Sequence, residues 1–195
     1  MSKSDPASSK RERRKAIRWV VTIFLVTILI SATISLISDE IMASSGMVVA
    51  FLILLTIVLI GILFDVIGVA VTSADEKPFH SMAARKVAGS QESIRLLRNA
   101  ERVSSICNDV IGDICGVVSG SASATIAAQV LQNFEFTWPR MISLVMSALV
   151  AGLTVGGKAI GKTIAIESNT GIVFGVGKIL YFFHNLGSIF DKKKK

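Results

Sequence analysis

The sequence predicts an all-α integral membrane protein with about four transmembrane helices, a cytosolic helical hairpin and a C-terminal interfacial juxtamembrane helix. Three observations predict it. At 51% hydrophobic residues and a mean hydropathy of +0.63, the chain is too apolar for an ordinary soluble domain. Its apolar residues are gathered into long uninterrupted runs. The basic residues behind the net charge of +7 lie beside those runs, in the N-terminal tail, the central polar segment and the closing Lys192-Lys193-Lys194-Lys195. Such flanking is the pattern of positive-inside topology and argues against nucleic acid as a partner. Both cysteines, Cys107 and Cys115, fall inside an apolar segment, where a thiol behaves as a small hydrophobe; no disulfide framework is expected.

Residues 1–16 form a basic tail expected to be cytosolic and disordered, with Lys10, Arg11, Arg13, Arg14 and Lys15 clustered before the first apolar run and Arg18 at its start. The run 17–37 is long enough to cross roughly 30 Å of hydrocarbon and too long for a signal peptide. Asp39 to Ser45, acidic and without Lys or Arg, reads as a short outside loop. The second run, 46–74, makes roughly 43 Å of helix, more than a bilayer needs, so it must tilt, bend or protrude. Gly61, Asp65, Gly68 and Thr72 are spaced four, three and four apart, which places a small, polar face toward protein.

Residues 75–104 are a polar insertion with a basic excess, punctuated by Pro78 and Gly89 into two amphipathic helices, about Phe79 to Val87 and Ser90 to Val103. The third span, 105–131, is small and polar. Gly112, Gly116 and Gly120 recur every four residues, as do Ser119, Ser123 and Ala127, and both rows suit close helix packing. Gln132 to Pro139 reads as an outside turn with Trp138 at the interface. The fourth span, 141–166, carries Gly152, Gly156, Gly157 and Gly161 on closely packed faces, with Lys158 and Lys162 near its inner end. Lys178, His184 and Asn185 interrupt 171–190, so that segment reads as a helix lying on the membrane, followed by a lysine anchor at 191–195. Residues 17–190 form one transmembrane domain. The localisation expected is the cell membrane, multi-pass, with both termini cytosolic.

The chemistry-bearing residues are Asp65, Asp109 and Asp113. Each carboxylate near lipid costs roughly 2.5 to 3.5 kcal/mol on insertion scales, so these acids should face protein or water and have a partner there, for which a divalent cation is the leading candidate. The competing structural reading leaves them protonated, hydrogen-bonded to neighbouring Ser and Thr, or at a wet cytosolic margin. Gly156 to Thr163 spells a Walker A phosphate loop, but that motif needs a strand before the loop and a helix after it. Here it reads as a packing face with two snorkelling lysines. His80 and His184 are isolated and on surface segments. No nucleophile stands with its base, and the chain is not expected to be an enzyme.

From about Phe51 to Phe190 the chain resembles the transmembrane domain of the CorB/CorC/CNNM family of magnesium transport proteins, in three stretches in the same order. Phe64-Asp65-Val66-Ile67-Gly68-Val69-Ala70-Val71-Thr72-Ser73 resembles the family's pattern of Phe, small residues, Glu, any residue, Ala, Leu, Thr, Ser. Ser93 to Gly112 resembles its cytosolic helix pair and the Asn-containing start of the next span, with Asn108 on a family Asn. Gly157-Lys158-Ala159-Ile160-Gly161-Lys162-Thr163-Ile164-Ala165 resembles its Gly-Glu-Ile-Leu-Pro-Lys-Thr-Leu-Ala, after which the family has a belt-like juxtamembrane helix. The family's intramembrane Glu falls on Gly68, its later Glu on Lys158, its Pro on Gly161 and its second Asn on Gly112. The nucleotide-sensing CBS pair of the family is not in the sequence, so control by ATP through it is not expected.

The resemblance implies divalent cation transport, with Mg²⁺ as the ion bound or moved. Mg²⁺ takes oxygen ligands in a near-octahedral shell and keeps several waters, so one or two carboxylates with an Asn amide suffice. The expected ligands are Asp65, Asn108, Asp109 and Asp113 between the second and third spans, with Gly68, Thr72, Ser73 and Gly112 supplying backbone and packing. The expected partners are the lipid bilayer, a second copy in a homodimer, and a separate cytosolic regulatory chain. Two other classes stay open: a non-transporting membrane partner or regulator with a transporter-like fold, and a proton- or sodium-coupled transporter.

Overall fold

A computed structural model describes residues 6–133 and 138–192. Among the described residues the chain is helical and without strands: α1 (Pro6–Ser44), α2 (Met47–Ser73), α3 (Lys77–Ala84), α4 (Ser90–Arg98), α5 (Ala100–Ser105), a π-helical turn (Ile106–Gly112), α6 (Asp113–Asn133), α7 (Pro139–Glu167) and α8 (Asn169–Lys192). Four stretches among the described residues are long and apolar enough to cross a bilayer: Ile17–Met42, Met47–Ser73, Ala100–Asn133 and Arg140–Glu167. The protein is an all-α membrane protein of the architecture expected from its hydropathy. The basic tail before residue 6 and the lysines after 192 lie outside the described residues, as do positions 134–137 of the expected outer turn.

Three boundaries differ from the expectation. The tail is helical from Pro6, because Ala7 to Ala16 contains no Gly or further Pro and continues without a break into the span, which supplies the nucleus that an isolated short helix lacks. Most of the expected outside loop at Asp39 to Ser45 is the end of α1 instead, helical through Ser44, leaving only Ser45 and Gly46 before α2. Met42 is fully buried and its carbonyl accepts a 2.8 Å hydrogen bond from Gln129 Nε2, which holds that turn against α6. The second amphipathic helix stops at Arg98; after Asn99 a new helix begins and runs through the π turn into α6, so the third span starts earlier than residue 105.

α2 is the central element, packed against α5, the π turn, α6, α7 and α8, while α1 lies mainly along α6. Between apolar helices in lipid there is no hydrophobic drive to associate, so close packing of small residues supplies the cohesion. Gly157 and Gly161 of α7 receive α2: a methyl group built on Gly157 would collide with Ile62, and one on Gly161 would lie 2.7 Å from Val66 Cγ2. Gly61 of α2 faces Cys115 in the same way, at 2.8 Å from its Cβ. Gly152, Gly156, Gly116 and Gly120, also expected on packed faces, have open space instead. Of the two small-residue rows on α6, the buried one is Ser119, Ser123 and Ala127.

α3, α4 and α8 gather at one end, here termed the hairpin end. Asp75 Oδ1 accepts from the Lys77 amide at 3.1 Å, which fixes the entry to α3, and Gly89 takes a left-handed φ of 88° to turn the chain into α4. Glu92 in the first turn of α4 and Arg95 and Arg98 in its last complement the helix dipole. Phe79 is fully buried here with Ala70, Val71, Leu97, Ala165 and Val173. α4 crosses α8 at backbone contact: a methyl on Gly177 would sit 2.6 Å from the Gly89 carbonyl oxygen, and Ser93 Oγ donates to the carbonyls of Gly89 and Val173 at 2.9 and 3.3 Å.

Candidate intramembrane ion site

Asp65 lies in the middle of the α2 face that Gly61 and Gly68 keep narrow. Ser73, the last residue of α2, is eight positions further on, so Asp65 sits about 12 Å of helix inside the hairpin end of that span. Its carboxylate meets a cation from the same chain: Lys158 Nζ of α7 approaches Asp65 Oδ1 at 3.5 Å, with the two side chains 26% and 18% exposed. Lys158 therefore does not snorkel to the membrane surface as expected. An intramembrane ammonium and an intramembrane carboxylate each carry an insertion cost, and pairing them is the way both are accommodated.

Gly112, the last residue of the π turn, makes the meeting possible. A methyl on it would lie 3.4 Å from Lys158 Nζ, 3.8 Å from Asp65 Oδ1 and 3.3 Å from the Cys107 carbonyl oxygen, so both charged ends pass over its bare backbone. One turn earlier, Asn108 projects onto Gly68: a methyl there would collide with Asn108 Oδ1 and lie 2.7 Å from its Cγ. Asn108 Nδ2 donates to Ser104 Oγ at 3.3 Å, whereas Oδ1 is buried with no hydrogen-bond partner among the described residues. A buried amide oxygen without a donor is costly in a low-dielectric interior, and a cation satisfies it as well as an N–H does.

π turns place one more residue in a helical turn than an α-helix does and commonly mark functional sites. Here the turn spans Ile106 to Gly112 and carries Asn108 and Gly112 toward α2 together. Asp65, Asn108, Gly68 and Gly112 are thus brought to one place. Asp109 and Asp113 are not: both are exposed and make no side-chain hydrogen bond or ion pair with a described residue. They share an exposed stripe with Ile106, Val117, Gly120 and Ala124. Thr72 and Ser73 also stay outside the cluster. The Thr72 hydroxyl bonds back to its own helix at Val69 O, 2.9 Å away, and the Ser73 carbonyl accepts from Asn169 Nδ2 at 3.2 Å.

Among the described residues no three His, Cys, Asp or Glu side chains converge as a metal-binding group. The oxygen donors at the cluster are one carboxylate and one amide. That is a sparse set, consistent with a cation that keeps much of its water, and it is the kind Mg²⁺ accepts. Lys158 is the functional candidate that spacing alone did not single out. The available signal was its charge, since a lysine deep in a span needs an acidic partner and Asp65 was the acid on the facing helix. Gly156 to Thr163 lies wholly within α7, and both cysteines are free thiols. No protein-family model, curated protein or solved structure matches the chain.

Proposed function

We propose that the protein is an ion transporter similar to the CorB/CorC/CNNM magnesium transport proteins, moving Mg²⁺ or a like divalent cation past a site between the second and third spans. The observation that carries this reading is the buried Asn108 Oδ1, without a hydrogen-bond partner among the described residues, set against Gly68 one helical turn along α2 from Asp65, whose own carboxylate reaches the bare backbone of Gly112. Both oxygens come from different helices, so a cation between them bridges two elements whose relative movement would expose or close the site. The hairpin end is the cytosolic one in this reading, because the polar insertion that forms the hairpin carries a basic excess.

Asp109 and Asp113 fit the same reading as a second-copy contact or a wet approach path. Two carboxylates on a spanning helix are expensive against lipid, and the small residues Gly120 and Ala124 beside them allow another helix to come close. A homodimer is the assembly proposed.

The test is thermal unfolding of the detergent-purified protein against Mg²⁺, Ca²⁺, Mn²⁺ and Na⁺, followed by flux in liposomes. A ligand bound at one hundred times its Kd stabilises by about 2.7 kcal/mol. Selective stabilisation by Mg²⁺ that Asp65→Asn removes, with flux in the same order of ions, supports the assignment; stability indifferent to every ion removes it. A second reading, a non-transporting membrane partner, is favoured by one observation: Lys158 already supplies Asp65 with a positive charge. Co-purification of a defined membrane complex that shows no ion flux would establish that reading instead.

A further inference from the structure

The ion pair is poorly made as a structural lock. At 3.5 Å, Lys158 Nζ and Asp65 Oδ1 stand farther apart than the ~2.7–2.9 Å of a charge-assisted hydrogen bond. Neither side chain has another hydrogen-bond partner among the described residues. A partly buried salt bridge recovers its desolvation only when further hydrogen bonds satisfy the remaining lone pairs and protons, and here they do not. One helical turn along α2, at Gly68, Asn108 Oδ1 is left without a donor among the described residues. The ammonium neutralises the carboxylate and leaves the rest of the oxygen set unused.

We propose that Lys158 is a tethered competitor for the cation site: its ammonium occupies the position on Asp65 that a divalent cation takes, and the ion binds by displacing it. This inference rests on the cation-transport reading above and names how the site is regulated. Charge sets the exchange. Asp65 carries one negative charge, so Lys158 and a divalent ion together would leave an excess of two positive charges in a low-dielectric interior, and one must leave as the other arrives. Gly112 leaves room beside the pair, since a methyl group there would lie 3.4 Å from the ammonium and 3.8 Å from the carboxylate. The resting protein is then closed to cations at low concentration without any separate regulatory domain, and Lys158 sets the concentration at which the site fills.

The experiment uses the full chain in detergent, with MgCl₂ as the probe and NaCl as the ionic-strength control, read by thermal unfolding. Lys158→Gln should be less stable than wild type in EDTA, regain stability with Mg²⁺, and bind Mg²⁺ at least about tenfold more tightly. Asp65→Asn with Lys158→Gln should not respond. A purely structural salt bridge would also lose stability in Lys158→Gln, but Mg²⁺ would not restore it. A wild-type response that Lys158→Gln leaves at the same Mg²⁺ concentration overturns the competitor role and keeps the cation site. No response in wild type or in Lys158→Gln overturns both. Should Lys158→Gln fail to fold, the wild-type protein decides the matter by mass spectrometry after amine acylation. Mg²⁺ should raise labelling of Lys158 relative to the exposed Lys162, and unchanged labelling overturns the proposal.

Discussion

The side-chain amide of Asn108 rests on the bare backbone of Gly68, so closely that a methyl group there would lie 2.7 Å from its Cγ and 3.0 Å from its Nδ2. Gly68→Ala should therefore push Asn108 away from α2. The expected cost is about 1–3 kcal/mol by overpacking, read as a lower unfolding temperature, together with loss of any Mg²⁺-dependent stabilisation. A Gly68→Ala protein as stable and as responsive as wild type would show that the amide is free to move aside.

Consecutive glycines of α7 should respond with opposite sign. Gly156 has nothing within 4 Å of where its methyl would go, and alanine is the better helix former, so Gly156→Ala should stabilise by about 0.5–1 kcal/mol. Gly157 faces Ile62 in direct collision, and Gly157→Ala should destabilise by about 1–3 kcal/mol. Thermal unfolding of the two variants side by side is enough; equal effects would mean that the α2–α7 crossing is not where the structure puts it.

Gly89 combines a φ of 88° with a position where a methyl group would lie 2.8 Å from the Lys178 backbone nitrogen, and neither can yield as a side chain end would. Gly89→Ala should release α4 from α8. Limited trypsin digestion should then cut at Arg85, Lys86 or Arg95 under conditions where wild type resists. Unchanged protection would argue that the hairpin is held by Phe79 and its apolar neighbours alone.

The exposure of Asp109 and Asp113 separates them from Asp65 in consequence as well as in position. Asparagine at either should leave the Mg²⁺ concentration for half-maximal stabilisation within about threefold of wild type, as for independent sites, whereas Asp65→Asn abolishes it. A collapse of the response in Asp109→Asn would mean that a second copy carries this carboxylate into the site.

Much of the architecture could be read from run lengths, because four apolar stretches of sufficient length leave few ways to satisfy backbone hydrogen bonds in lipid. The narrow face of α2 was equally legible, since Gly61, Asp65 and Gly68 have the spacing of one helical stripe. The helix rotations were not. Asn108 and Asp109 are adjacent, about 100° apart around an α-helix, and only tertiary packing decides which of them meets α2. The π turn adds a further shift that no 3.6-residue pattern records. The sequence alone makes Lys158 a surface-seeking lysine, because its neighbours Gly157 and Gly161 explain the helix face without it; its inward turn depends on Asp65 lying across that same crossing.

The brevity of the links around α2 bears on which part of the protein moves. Two residues join it to α1 and three join it to α3, and α1 is itself tied to α6 through the Met42 carbonyl. With so little slack at either end, the helix bearing Asp65 cannot slide or roll far without unwinding a turn. On the transport reading proposed above it would be the fixed post, and an opening stroke would fall to α7, which carries Lys158, or to the π turn that carries Asn108.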